Sequence, residues 1–240
     1  MSGHVVLAVC LALAGLGLGW AERPLIARYV PGASSCVPAP PMEGATTHDR
    51  TAGPRSAAGK AVTAAPPAVA AGIVTAVLFV TLAACVHSGF VLGAACALAV
   101  VAVPLAFVDV AVHRLPDPLT GAAYAVTVAG LLIAAASDGH WGALGRAAAG
   151  GAALAGFYLL LAVISPSGMG LGDVKLAASL GTLLAWSGWR ALVLGGFAGF
   201  LLAALYSVVL LAVGRTTRKQ HIPFGPFMLA GAFLLFLVTA

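Results

Sequence analysis

Charged residues are scarce in this sequence. They make up only 8% of its 240 residues, whereas a typical soluble domain contains about a quarter. Hydrophobic residues make up 61%, and the mean hydropathy is +1.06. A soluble fold of this size could not bury so much apolar surface. Apolar runs also continue to Ala240, which disfavours a secreted protein with one signal peptide. The composition therefore predicts an all-α polytopic membrane protein.

The sequence also lacks the motifs of several common functional sites. Its four cysteines, Cys10, Cys36, Cys85 and Cys96, form no CxxC pair, so neither a zinc site nor a disulfide framework is predicted. HExxH and GxSxG are missing, which disfavours a metalloprotease or a serine protease. Despite a net charge of +5, no basic run carries interleaved aromatic residues, so nucleic acid is not an expected partner. We expect no metal and no cofactor.

Long apolar runs take up most of the chain. A membrane-spanning helix needs about 20 mostly apolar residues. Eight segments come close to that length, at 4–20, 67–87, 90–111, 118–136, 147–165, 174–189, 191–213 and 224–239. The sixth is the weakest candidate because it is short and contains Gly181 and Ser187. We therefore expect about eight transmembrane helices.

These runs divide the chain into three regions. Residues 1–20 are expected to form the first transmembrane span, with a cleaved signal peptide as the alternative. Residues 21–66 are rich in Pro and Ala and predict a flexible cytoplasmic linker. Residues 67–240 are expected to form a membrane-embedded domain.

The loops between the predicted spans differ in positive charge. The odd-numbered loops hold Arg23, Arg28, Arg50, Arg55, Lys60, Arg114, Lys175, Arg215, Arg218 and Lys219. The even-numbered loops hold only Arg146 and Arg190. Because Lys and Arg are enriched in cytoplasmic loops, this difference places the odd-numbered loops in the cytoplasm and both termini outside.

Two aspartates lie where a carboxylate is costly. Asp109 falls near the cytoplasmic end of the third span, in "PLAFVDVAVHRLPDPLT". An ionised carboxylate in the middle of a membrane helix costs about 2.5–3.5 kcal/mol, so such a residue is a functional candidate. The structural alternative pairs Asp109 with His113 or Arg114. Asp173 follows "GMGLG" at the cytoplasmic start of the sixth span, where it is either functional or an ordinary helix cap.

The predicted topology brings Asp109 and Asp173 to the same membrane face. Gly168, Gly170 and Gly172 would let the backbone before Asp173 bend or approach a neighbour closely. When two carboxylates share a site, one can take a proton from water while the other donates to a carbonyl oxygen. This is the chemistry of an aspartic protease. The alternative is a proton-coupled small membrane transporter, in which intramembrane carboxylates relay protons. The chain shows no inverted repeat of the kind common in transporters.

Three stretches of the sequence together resemble one known family. They are "DVAVHRLPDPLT" (109–120), "GMGLGDVKL" (168–176) and "IPFGPF" (222–227), and the two aspartates are 64 positions apart. This combination resembles the type IV prepilin peptidases, the GxGD-type aspartic proteases, over residues 67–240. The resemblance implies that Asp109 and Asp173 are the catalytic pair. It implies cleavage of prepilins or pseudopilins after a Gly, at the cytoplasmic face of the bacterial plasma membrane.

The resemblance also marks supporting residues and one departure. Gly170, Gly172, Asp117 and Lys175 match the family's motifs and are expected to bind substrate or to support the structure. Asp117 suits a turn between two prolines, and Lys175 could pair with a carboxylate or with a lipid phosphate. Many members carry two CxxC pairs in an N-terminal insert and also methylate the new amino terminus. Here that loop has one cysteine, Cys36, which predicts a peptidase-only form. The oligomeric state stays open.

Overall fold

In a computed structural model of the protein, the described residues are 10, 11, 13–17, 67–112, 115–165, 169–213 and 223–239. Within them the chain is helical, without a β-strand. Residues 10, 11 and 13–17 are helical, and seven longer helices follow. These are α1 (Pro67–Cys85), α2 (Gly89–Val112), α3 (Asp117–Asp138), α4 (Trp141–Ile164), α5 (Leu171–Ser187), α6 (Trp189–Ala212) and α7 (Gly225–Thr239).

The helices confirm the expectation of an all-α polytopic membrane protein. Four of them, α2, α3, α4 and α6, are long and apolar enough to cross a membrane. The apolar helices α1 and α7 are shorter, and α5 has 17 residues with Asp173 and Lys175 near its start. The described residues do not include most of the first predicted span or the linker at 21–66. They also do not include four basic residues of the predicted loops, Arg114, Arg215, Arg218 and Lys219.

The start of α4 differs from the prediction. We expected a span at 147–165 with Arg146 in the loop before it, but the helix begins at Trp141 and includes Arg146. The guanidinium of Arg146 donates from Nε to the carbonyl of Ala185 at 2.7 Å and from Nη2 to that of Trp186 at 2.5 Å. These carbonyls belong to the last turn of α5, where helical partners run out. The arginine therefore caps the end of a neighbouring helix.

The helices approach one another closely at glycines. A Cβ added to Gly181 of α5 would lie 2.9 Å from the backbone oxygen of Gly150 in α4. A Cβ on Gly199 of α6 would lie 3.1 Å from the Cα of Met228 in α7. Small residues at such crossings let membrane helices pack through their backbones, because no hydrophobic effect drives association in lipid.

Helix α5 is the centre of the bundle, although its sequence made it the weakest predicted span. It packs against α3, α4, α6 and α7, and most of its residues are buried. The buried Ser179 and Thr182 lower its hydropathy, and Thr182 bonds to the carbonyl of Ala178 at 2.8 Å. By contrast, the outer surface of α6 exposes large apolar residues such as Phe197 and Leu201, as expected for a lipid-facing helix. Neighbouring helices replace lipid around α5, so its polar residues are tolerated.

The two ends of the bundle carry different polar contacts. At one end, Ser88 beside α2 donates to Asp138 at the end of α3. At the other end, the last turn of α2 meets the start of α7, where Asp109 contacts Gly225. The start of α5 lies at this second end as well, because Lys175 contacts Asp117 at the start of α3. Both aspartates singled out in the sequence are thus found at one end of the bundle.

Candidate active site

Asp109 is buried in the last turn of α2. The residue is only 3% exposed, and its Oδ2 accepts a hydrogen bond from the backbone N–H of Gly225 at 3.0 Å. Gly225 is the first residue of α7, so the positive end of that helix dipole lies against the carboxylate. A Cβ on Gly225 would lie 2.8 Å from Oδ2 and 3.3 Å from Cγ of Asp109. The contact therefore requires glycine at this position.

Asp173 is buried in the first turn of α5. The residue is 6% exposed, and its Oδ2 accepts a hydrogen bond from the N–H of Gly170, the N-cap residue, at 3.0 Å. The sequence offered Asp173 as an ordinary N-cap, but the N-cap is Gly170 and Asp173 is the third residue of the helix, from which its side chain reaches back to the Gly170 N–H. This contact occupies only one carboxylate oxygen. The other oxygen, Oδ1, is buried and has no hydrogen-bond partner among the described residues. A buried acceptor of this kind is costly, so it is a good candidate for binding a ligand or water.

The structure brings the two aspartates together. Asp109 and Asp173 interact electrostatically although they come from different helices. Each carboxylate also accepts an N–H from the start of a helix, α7 for Asp109 and α5 for Asp173. Helix N-termini favour a negative charge on the pair. Repulsion between two carboxylates disfavours ionisation of both at once. Such a pair can hold one proton between two groups, which is the arrangement that acid–base catalysis by carboxylates uses.

The supporting residues expected from the sequence lie beside this pair. Lys175 contacts Asp117 at 2.7 Å, with side chains 49% and 73% exposed, so the lysine pairs with a carboxylate of the protein. Asp117 is the first residue of α3, between Pro116 and Pro118. A Cβ on Gly172 would lie 2.7 Å from the Cβ of Leu115, in the segment before α3.

Gly170 differs from Gly172. A Cβ on Gly170 would meet only ordinary contacts, with Oδ2 of Asp173 at 3.7 Å. Its backbone is extended, with φ −86° and ψ 156°, which other residues adopt easily. Packing therefore requires glycine at Gly172, whereas Gly170 has space beside it.

Three residues near the pair had no assigned role in the sequence. Gly225 and Phe224 lie in "IPFGPF", and the motif itself was the signal for them. Tyr158 of α4 is buried and contacts the ring of Phe224 with a centroid distance of 6.0 Å. Nothing in the apolar run around Tyr158 distinguishes it from a core residue.

Some expectations fall on residues that the structure does not describe. These are Gly168, and the alternative partners His113 and Arg114 for Asp109. Among the residues that are described, His, Cys, Asp and Glu form no group of three or more that could hold a metal ion.

A comparison with protein families identifies the chain. The model of the type IV leader peptidase family matches residues 96–240, a region that contains Asp109, Asp173 and Gly225. The chain belongs to this family. The match covers more than half of the sequence and includes all three stretches on which the resemblance was based.

Several relatives are similar in sequence. A prepilin leader peptidase/N-methyltransferase of Aeromonas salmonicida (strain A449) is 33% identical over 172 residues, which cover 69% of this chain and 56% of the relative. A protein of the same name from Bacillus subtilis (strain 168) is 38% identical over 87 residues, covering 35% of this chain and 34% of the relative. The chain spans about half the length of the Aeromonas relative that it matches. No solved structure gives a significant match.

Proposed function

We propose that this protein is a membrane aspartic endopeptidase that removes the leader peptide of type IV prepilins or pseudopilins. It would cut after a Gly, at the cytoplasmic face of a bacterial plasma membrane. Family membership supports the class of substrate. The observation that carries the proposal is the meeting of two buried carboxylates, Asp109 and Asp173, at one end of an apolar helical bundle.

In the proposed reaction, one carboxylate is ionised and the other is protonated. The ionised carboxylate takes a proton from water while the water oxygen bonds to the carbonyl carbon of the Gly. The protonated partner gives its proton to the carbonyl oxygen. The intermediate then collapses: its C–N bond breaks, the nitrogen takes the proton held by the first carboxylate, and a hydroxyl returns a proton to the second. Both carboxyl groups end in the states in which they began.

The arrangement of backbone donors supports these roles. Gly225 fixes Asp109 and Gly170 fixes Asp173, each through one Oδ2 atom. Oδ1 of Asp173 makes no hydrogen bond within the described part of the chain, so it is available to a water molecule or to substrate. Fixed catalytic groups avoid reorganisation during the reaction, which is a large part of enzymatic rate enhancement.

We further propose a peptidase-only form. The relatives are named for both peptidase and N-methyltransferase activities. The sequence has a single cysteine, Cys36, in the loop where many members carry two CxxC pairs. The basic residues of the odd-numbered loops support a cytoplasmic position of the site.

The proposal is tested by co-expressing the protein with a prepilin whose leader ends in Gly before an apolar helix. We expect the precursor to shift to a shorter form on a gel. Asp109→Asn and Asp173→Asn should each abolish the shift while the protein still accumulates in the membrane. The matched control is Asp138→Asn, because Asp138 is exposed at the opposite end of the bundle and should not affect cleavage.

The same assay separates a peptidase from a proton-coupled transporter. A transporter would leave the precursor intact in every strain. Normal processing by the Asp109→Asn or Asp173→Asn protein would contradict the proposed mechanism even if the wild-type protein cleaves.

A further inference from the structure

An apolar groove lies on the outside of the bundle between α1, α2 and α7. It has a volume of about 220 Å³, and every described residue that lines it has an apolar side chain. Val103 of α2 and Phe233 of α7 are buried in its floor, whereas Val74 of α1 and Ala230 of α7 are exposed at its edges. The groove therefore opens onto the outer surface of the bundle.

One end of the groove lies beside Asp109. On α7 its lining includes Pro226, Ala230 and Phe233, and spacings of four and seven residues place them on one face of the helix. Pro226 directly follows Gly225, the residue whose N–H donates to Asp109. The wall that α7 contributes to the groove therefore begins at the residue next to the one that holds the carboxylate.

The wall contributed by α2 leads to the same carboxylate. Ala102 and Ala106 line the groove, and Asp109 follows them by seven and three positions on the same face of α2. At 1.5 Å per residue, the distance along α2 from Ala102 to Asp109 is about 10 Å, and that along α7 from Gly225 to Phe233 is about 12 Å. The groove thus extends from the candidate active site over a length that two turns of a helix cover.

The described part of the first helix does not fill this groove. A Cβ on Gly15 would lie 2.7 Å from the Cα of Ala76, so residues 13–17 pack on α1 at that position. Val74, which lines the groove, is two positions earlier and therefore about 200° away around the helix. The groove lies on another side of α1 and is open to an apolar partner.

We propose that the groove binds the first two turns of the apolar helix that follows the scissile Gly of a prepilin. This inference rests on the peptidase function proposed above and names where that substrate binds. A helix that lies in the groove with its first residue beside Asp109 brings the preceding peptide bond to the carboxylates. The shape of the groove and its end at Asp109 both fit such a helix.

Packing supplies the affinity of this contact. An apolar cavity of about 150 Å³ holds a benzene ring, so the groove has space for one or two large side chains of the substrate helix. No hydrophobic effect drives helix association in lipid, and van der Waals contacts between closely fitting surfaces act instead. Substitutions that fill the groove should therefore weaken substrate binding.

The first test maps the contact by photo-crosslinking. A benzophenone amino acid replaces either Ala230, at the edge of the groove, or Ala204, which is exposed on α6 and does not line the groove. The full-length protein also carries Asp173→Asn, which keeps the precursor uncut, and is illuminated in membranes with a prepilin whose leader ends in Gly before an apolar helix. We expect at least about tenfold more adduct from position 230 than from position 204.

The position of the adduct on the substrate decides the outcome. Mass spectrometry should place it within the first two turns of the helix that follows the Gly. An adduct from position 230 with lipid alone, with a second copy of this chain, or with a more distant part of the prepilin would overturn the proposal.

The second test is kinetic and uses Ala230→Phe, with Ala204→Phe as the matched control. We expect Ala230→Phe to raise KM for the prepilin by about tenfold, because loss of even one well-packed group from an apolar site has an effect of that size. Its kcat should stay within about twofold, because the groove binds substrate away from the reacting atoms. Ala204→Phe should keep both constants close to wild type.

The outcomes separate this inference from the proposed function. Cleavage by wild type together with a wild-type KM for Ala230→Phe would overturn the role of the groove and leave the peptidase intact. If Ala230→Phe does not fold, Ala230→Leu adds a smaller side chain at the same edge, and a wild-type KM for that variant would overturn the inference equally. No cleavage by wild type would overturn the proposed function, while the adduct from position 230 would still report directly on binding in the groove.

Discussion

The two buried aspartates accept similar hydrogen bonds in different ways. Asp173 accepts from Gly170, three residues earlier, within the first turn of one helix. Asp109 accepts from Gly225, 116 positions away, across the contact between two helices. Both distances are 3.0 Å and both donors are glycine N–H groups. One carboxylate is therefore placed by local sequence, and the other depends on how the bundle packs.

This difference predicts that changes in helix packing affect the two halves of the site unequally. The bond to Asp173 forms whenever Gly170 is the N-cap of α5, because both residues belong to the same turn. The bond to Asp109 survives only if the start of α7 stays against the end of α2. Changes in packing should thus affect Asp109 first.

Among changes that alter packing, the largest effect is expected from Gly225→Ala. The added Cβ would lie 2.8 Å from Oδ2 of Asp109, so the carboxylate or the start of α7 must move. A displacement of about 1 Å in catalytic geometry can cost 100-fold in rate, and we expect a loss of at least about that size in kcat/KM. The measurement is cleavage of a prepilin by the purified variant.

Gly93→Ala is the matched control for this change. Gly93 also belongs to the bundle, in α2, and a Cβ there would meet no atom within 4 Å. It should retain normal cleavage. A Gly225→Ala enzyme as active as Gly93→Ala would show that the contact with Asp109 does not position the carboxylate.

The comparison also explains what the sequence could predict of the site. Asp173 was recognisable because the glycines and the helix start stand beside it in "GMGLGDVKL". Asp109 was recognisable as a carboxylate in an apolar run. Its contact with Gly225 was not, because no local pattern links residues so far apart. Tyr158 was missed for the same reason, because its ring contacts Phe200 and Phe224 of distant segments.

The fold was predictable to a similar extent. Most helices begin and end within a few residues of the predicted spans, because a long apolar run indicates a membrane helix directly. The central position of α5 was not predictable, because its burial comes from four neighbouring helices. The early start of α4 was also missed, because Arg146 finds its partners on α5.

Gly172→Ala tests the Asp173 half of the site through packing. A Cβ at this position would lie 2.7 Å from the Cβ of Leu115 and 3.3 Å from its carbonyl oxygen. Overpacking of this kind destabilises a protein by about 1–3 kcal/mol. We expect a lower midpoint of thermal unfolding in detergent micelles. Gly121→Ala, in open space on α3, should leave the midpoint close to wild type. Equal midpoints for the two variants would mean that the start of α5 adjusts without cost.

Gly170→Ala should weaken substrate binding rather than lower the stability of the fold. Its backbone suits alanine, and replacing glycine at such positions stabilises proteins by about 0.4–1 kcal/mol. The unfolding midpoint should therefore stay equal or rise. If the space beside Asp173 receives the substrate backbone, the extra methyl should raise KM by about tenfold. An unchanged KM would show that Gly170 serves only as the N-cap of α5 and does not contact substrate.

The smallest effect is expected from the pair of Asp117 and Lys175, which lies beside the buried carboxylates but is exposed. Solvent screens such pairs, so the coupling measured in a double-mutant cycle should be below about 1 kcal/mol and should fall with added salt. The cycle uses Asp117→Asn, Lys175→Gln and the double variant, with unfolding as the readout. Cleavage should persist in all three variants, because neither group belongs to the catalytic pair. Loss of cleavage in Lys175→Gln alone would show instead that the positive charge of Lys175 acts on the catalytic aspartates. The exposed pair and the buried pair would then form one interacting group of charges.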